Sequence, residues 1–418
     1  MMVAHNQSQQ NETSGDGMRV ARKGNGTGAA YVVLAALAAL AGGGASTLSE
    51  MGMMPATAGW HAVVQAHPVL MLLYVVVPAL LGGFGSLWLP RAVQRSGVLL
   101  PRLNDAGFLC VFAGAALTVT GAELKTATLL WCVGTLMTSM ALLATVFDSR
   151  ADMDERKPFS PFVWGEMLAA AVMLLTVPVM AGQIVKHWHD ATAVNVESFA
   201  GPVGLVVLLA GFGVVFEISA RVGKFSEKPV AFIMAAAAAS GVVAWTKSVF
   251  MQGTESAGAM QVGSTMLALC SFAATCLAVL WLAGAWNARA TLRVPLLWGL
   301  GFMSVVSGGW LVQLVQGNGL HSALQLGALY VVCGGFYLWR GEECGYWYPQ
   351  LMAYLHFACT AVATALVFVP GAQMASGAFF GLAALCFIGA VVVSFRRNQQ
   401  ATAHCAAMPV QVSKGYRA

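Results

Sequence analysis

The chain has 418 residues, 58% of them hydrophobic and only 9% charged, with a net charge of +5 and a mean hydropathy of +0.72. A soluble domain carries roughly 25% charged residues, and a water-soluble fold of this length could not hide so much apolar surface. Composition therefore excludes an ordinary soluble enzyme and makes lipid the second solvent.

In chain order, a polar segment comes first. Residues 1–27 are rich in Asn, Gln, Ser and Gly and read as a disordered cytoplasmic tail. They hold no apolar stretch of the signal-peptide kind, so the first span is expected to be retained. Twelve apolar segments follow, at 28–48, 62–88, 105–122, 127–148, 160–185, 198–220, 229–252, 262–287, 293–316, 322–340, 349–370 and 373–395. Most approach the roughly 20 residues that cross hydrocarbon as a helix. Helix is the form expected, because a span must satisfy its own backbone groups where water is absent. The tenth segment is the weakest, since Arg340, Glu342 and Glu343 close it early. Residues 396–418 read as a second cytoplasmic tail. The predicted fold is an all-α integral membrane protein of about twelve transmembrane helices, with one membrane domain over 28–395.

The basic residues give the orientation. With both termini inside, 19 of the 22 Lys and Arg residues fall in inside segments, leaving Lys125, Lys186 and Lys247. That asymmetry is the positive-inside signal of an even number of spans. The net positive charge thus reports orientation, and no basic stripe with interleaved aromatics suggests a nucleic-acid partner. The nine cysteines are scattered, mostly inside spans, with no CxxC pair, which gives neither a disulfide framework nor a zinc site. No P-loop, dinucleotide fingerprint or HExxH motif is present. Glycine runs such as Gly42–Gly44 and Gly82–Gly85 lie inside spans, where small residues permit close helix contact.

Several motifs recur in a fixed order. Residues 60–90 read WHAVVQAHPVLMLLYVVVPALLGGFGSLWLP, followed by PRLND at 101–105; then come PFVWGEMLAAAVMLLTVPVMAG at 161–182, GFG at 211–213 and KPV at 228–230. Trp281, Trp286, VPLLWGLGF at 294–302, YVV at 330–332, YWYP at 346–349 and LHF at 355–357 complete the series. In this order the chain resembles subunit I of the haem-copper oxidases, over about residues 30–390 with gaps. The resemblance implies a cytochrome c oxidase subunit I-like bundle, a lipid bilayer and other respiratory-chain subunits as partners, and a bacterial inner membrane as the location.

The family's chemistry requires two axial imidazoles for a low-spin haem, one for a high-spin haem and three for a copper ion. Neutral imidazole is the donor that suits both metals. On the resemblance, His67 stands at the second-helix haem ligand. A histidine at membrane depth is a functional candidate by default, and packing is its other reading. The remaining positions have changed. The tenth-helix HxH becomes Gly334 and Phe336, and the sixth-helix copper histidine becomes Gly201. The proton-carrying glutamate becomes Val203 and the tyrosine Leu205. The WAHH motif becomes Trp245, Thr246, Lys247 and Ser248. The eighth-helix lysine becomes Leu277, while Asn104 and Asp105 stand where the family has an Asn pair.

Copper is therefore not expected, and a haem on His67 is the one cofactor the resemblance leaves open. Glu166 and Glu217, unmatched in the family, read either as interface residues, the favoured reading, or as buried carboxylates with raised pKa. His187 and His189 belong to an outer loop, and His356 to a packing position. Two readings of function remain. One is a non-catalytic subunit I relative with a scaffold, assembly or regulatory role, a pseudoenzyme with at most that haem. The other is a working terminal oxidase or haem-dependent electron carrier whose ligands lie elsewhere. An unrelated twelve-span transporter is disfavoured, since the two halves show no repeat.

Overall fold

The computed structural model describes residues 2–53, 58–121, 123–152, 158–189, 196–220, 227–251, 257–287, 293–316, 320–343 and 348–397, with side chains from Gly26 onward over most of these stretches. The expected tail at 396–418 lies almost wholly outside the described residues, and the side chains of the expected tail at 1–27 lie outside them up to residue 25.

Among the described residues the apolar segments form twelve helices. They are α1 (Met2–Glu50), α2 (Gly59–Ala92), α3 (Pro101–Val119), α4 (Leu124–Asp152), α5 (Pro161–Lys186) and α6 (Val196–Ala220). Then come α7 (Glu227–Phe250), α8 (Ala257–Asn287), α9 (Val294–Gln316), α10 (Leu320–Tyr337), α11 (Gln350–Val367) and α12 (Gln373–Arg397). Eleven are long and apolar enough to cross a membrane, and α10 is not among them. The α-helical part of α10 ends at Tyr337, and a π-helical stretch carries it on over Leu338–Glu343, through the charges Arg340, Glu342 and Glu343. Outward faces carry large apolar side chains such as Phe232, Phe272 and Leu385, all exposed in the isolated chain and suited to lipid.

Local chemistry explains the helix starts. Ser160 accepts a hydrogen bond from the Val163 N–H, and Pro161 stands in the first turn of α5. A proline costs nothing there because that N–H would be unpaired anyway. Proline also opens α3 and caps α11.

Consecutive helices pack as neighbours: α3 on α4, α5 on α6, α7 on α8, α9 on α10, α11 on α12. Their short connections make them antiparallel. Two helices form the centre. The apolar stretch of α2 is 94% buried and that of α6 89%, against 22% for α12 at the rim. Glycine brings backbones together at the main seams. A Cβ at Gly134 of α4 would fall 2.5 Å from the Gly107 carbonyl oxygen of α3. A Cβ at Gly165 of α5 would overlap the Leu209 carbonyl of α6. This is the small-residue contact that lets helices associate without a hydrophobic driving force.

The central helix α2 is irregular. It is π-helical over Leu70–Val76 and Pro78–Gly85, a wider form that usually marks a special site. In the π register, Pro78 is the residue that should serve the Leu73 carbonyl, and proline has no N–H. Trp131 of α4 supplies it instead, its Nε1 donating to the Leu73 carbonyl at 2.6 Å. The Tyr74 hydroxyl donates to the Ala127 carbonyl at 2.9 Å. From α1, Tyr31 packs over Gly82 and its hydroxyl meets Thr138 Oγ1 of α4 at 2.6 Å. Helices α1, α2 and α4 are thereby tied by polar contacts as well as packing.

Candidate functional site

His67 lies on α2, immediately before Pro68 and the π-helical stretch. It is half-buried. Its Nδ1 donates to the Gly42 carbonyl oxygen of α1 at 3.0 Å. A carbonyl can only accept, so this bond places the proton on Nδ1 and leaves Nε2 with the lone pair.

The positions on α10 to which the resemblance assigns the tenth-helix ligands carry no donor. A Cβ at Gly334 of α10 would lie 3.0 Å from Trp298 Cβ and 3.2 Å from Ile218 Cδ1, so that backbone is already in contact with α9 and α6. A Cβ at the next residue, Gly335, would overlap the Phe84 ring of α2, and Phe84 stacks on Trp88 with centroids 4.7 Å apart. Phe336 turns toward α12, its ring 5.0 Å from that of Phe387.

The next cluster, at α6 and α7, is equally filled. A Cβ at Gly201 would fall 2.8 Å from Trp245 Cδ1. That indole is buried and fixed, its Nε1 donating to the Ser198 carbonyl at 3.0 Å. Leu205 covers Gly241 closely enough that a Cβ there would overlap it. Further along α6, Phe302 of α9 sits against Gly211 and meets Phe212 edge-on at 5.2 Å. Thr246 and Ser248 are exposed, and their hydroxyls donate back to the Val242 and Trp245 carbonyls of their own helix at 2.8 and 2.7 Å. Lys247 is half-buried on that outer side, and Leu277 is fully buried in the apolar core. Among the described residues, no group of three or more His, Cys, Asp or Glu side chains is placed to hold a metal ion.

The description "Cytochrome C and Quinol oxidase polypeptide I" is that of the family matching residues 26–316. The chain belongs to this family. A relative, "Cytochrome c oxidase subunit 1" of Cereibacter sphaeroides, is 24% identical over 379 residues, covering 74% of this chain. The match spans 66% of that relative's own length. The subunit I family implies haem and copper, and the residues to which the resemblance assigns the copper and high-spin-haem positions do not fit them. Glycine at 201 and 334 and phenylalanine at 336 offer no electron pair, and Trp245 and Trp298 lie against the space a side chain at 201 or 334 would need.

The family's polar positions on α2 and α3 are partly kept. Asn104 is buried and its Nδ2 donates to Ser86 Oγ at 3.0 Å, while Asp105 accepts from Thr27. The outer-loop histidines His187 and His189 are exposed, beside a Lys125 that donates to the Trp188 carbonyl. His321 lies outside the residues with described side chains.

Two groups stand apart from the sequence reading. His356 of α11 is 5% exposed and its Nδ1 lies 3.0 Å from the Tyr337 hydroxyl, with the Trp298 ring 4.6 Å away. It packs, as expected of the LHF position, but inside a polar pair. Glu166 corrects an expectation. Placed at the interface by sequence, it is fully buried on α5, with neither carboxyl oxygen hydrogen-bonded. Helix α5 is apolar around most of its circumference, so the sequence carries no signal for which face points inward. Glu217 is half-buried.

Proposed function

We propose that this chain is a subunit I relative without an oxygen-reducing centre of its own, serving as a scaffold, assembly or regulatory subunit beside other respiratory-chain proteins. It is a pseudoenzyme in a bacterial inner membrane, with both termini on the basic, cytoplasmic side. The observation that carries this reading is the contact of Gly201 with the Trp245 indole. An imidazole cannot be grafted there without moving a tryptophan held by its own hydrogen bond. A fold shared with an oxidase fixes the scaffold and leaves the chemistry to the site.

A second reading is favoured by His67 alone. Its anchored Nδ1 and available Nε2 are what an axial haem ligand needs, so one haem, five-coordinate or with a non-imidazole partner, is the cofactor this reading takes. The absorption spectrum and metal content of the purified protein separate the readings. The scaffold reading expects no copper and co-purification with respiratory subunits. A Soret band that disappears in His67→Ala establishes the haem, and stoichiometric copper with oxygen consumption overturns the proposal.

A further inference from the structure

Glu166 is a buried carboxyl that the scaffold reading does not use. It lies five residues into α5, about 7.5 Å along the axis from Pro161 at 1.5 Å per residue. Its side chain is 0% exposed and both oxygens lack a partner. Facing it is Gly85, which ends the second π stretch of α2. A Cβ at Gly85 would come 2.9 Å from Glu166 Oε2 and 3.0 Å from Leu142 Cδ1 of α4. Three helices, α2, α4 and α5, therefore meet at this carboxyl.

Around that junction other buried polar groups are also without partners. Ser139, one turn from Leu142 on the same face of α4, is 0% exposed with an unbonded hydroxyl. Thr135, a further turn along, and the Nε1 of Trp88, three residues beyond Gly85, share that condition. The described titratable groups on the helices packed against α5 are His61, His67, Tyr74 and Arg91 of α2, and Lys125, Cys132, Asp148 and Arg150 of α4. Glu217 of α6 and Lys228 and Lys247 of α7 complete the set. None of them bonds to Glu166.

A bare carboxylate in such a place costs several kcal/mol or more, so a cation must neutralise it. A metal ion is a poor candidate. Calcium takes about 6 to 8 oxygen ligands, and the nearby groups named above are two hydroxyls and an indole N–H. A proton needs no coordination shell. We propose that Glu166 is a proton-binding site inside the membrane domain. The carboxylate takes a proton from hydronium at the nearer end of the bundle, forming carboxylic acid and water, and returns it by the reverse step. The contact of Glu166 Oε2 with the Gly85 position and Leu142 marks where the proton would be held, between α2, α4 and α5. The inference stands whether or not a haem binds His67.

Infrared difference spectroscopy of the full-length protein in lipid, before and after a pH step, tests it. The expected result is a carbonyl stretch of a protonated carboxylic acid that shifts in D2O, is lost in Glu166→Gln and persists in Glu217→Gln. Gly85→Ala supplies a second variant should Glu166→Gln fail to fold. Its added methyl presses on Oε2 and is expected to move the same band. A band unchanged by both Glu166→Gln and Gly85→Ala overturns the proposal, as does a band that neither responds to pH nor exchanges with deuterium.

Discussion

Two regions of this bundle handle the interior of the helix seams in opposite ways. In α6, α7, α9 and α10 glycine positions are closed by side-chain contact: Trp245 on Gly201, Leu205 on Gly241, Phe302 on Gly211, Trp298 on Gly334. In α2, α4 and α5 a buried carboxyl and two hydroxyls lie without partners, Glu166, Ser139 and Thr135, with the Trp88 indole N–H, whereas among the described residues the unpartnered groups of the first region are the indole N–H of Trp298 and Trp310. The first region has the dense packing of an ordinary protein interior. The second carries unpaired groups of the kind that native structures normally satisfy. The contrast teaches that one bundle can be apolar and close-packed at one set of seams and hold a buried carboxyl at another, and that the two need separate explanations.

Breaking the packed seams gives the largest effects. Gly165→Val drives a side chain into the Leu209 carbonyl and the Gly213 backbone, atoms that cannot rotate away. We expect a loss of about 3 kcal/mol or more, read as a collapse of the melting temperature in detergent. Gly201→His restores an imidazole at the expected copper position, yet meets Trp245 at 2.8 Å from its Cβ. It is expected to cost about 1–3 kcal/mol and to bring no copper, which metal analysis of the purified variant checks. Bound copper at one equivalent would show that the centre is open after all.

Smaller changes sharpen the contrast. Trp281→Phe removes the hydrogen bond from Nε1 to Ser219 Oγ, 2.5 Å long and fully buried. A loss of about 1–2 kcal/mol is expected. Thr135→Val removes a hydroxyl that has no partner, so stability should hold or rise by about 0.5 kcal/mol. A loss of more than about 1 kcal/mol, measured by thermal unfolding, would mean that this hydroxyl is bonded to water or another group.

Most of the fold was legible in the sequence because span length is a property of composition. The predicted segment at 160–185 became Pro161–Lys186 and that at 349–370 became Gln350–Val367. The form of α2 was not legible. An unbroken apolar run reads alike in α and π registers, and only the coincidence of Pro78 with the Trp131 donor distinguishes them. At the site, the glycines and Lys247 could be read as lost ligands, but what fills their space depends on helices far away in sequence. The burial of Glu166 was hidden for the same reason. One charge on a helix apolar nearly all round points wherever packing turns it.

The bond between Trp131 and the Leu73 carbonyl has a consequence for biosynthesis. The donor is made 58 residues after the acceptor, so α2 reaches the translocon before anything can serve its open carbonyl. A group left unserved in hydrocarbon costs several kcal/mol. The nascent segment must therefore wait in the regular α form, or beside water, until the fourth span arrives. The first four helices thus form an insertion unit, and a ribosome stalled before residue 131 would leave the central helix of the bundle in a register it does not finally keep.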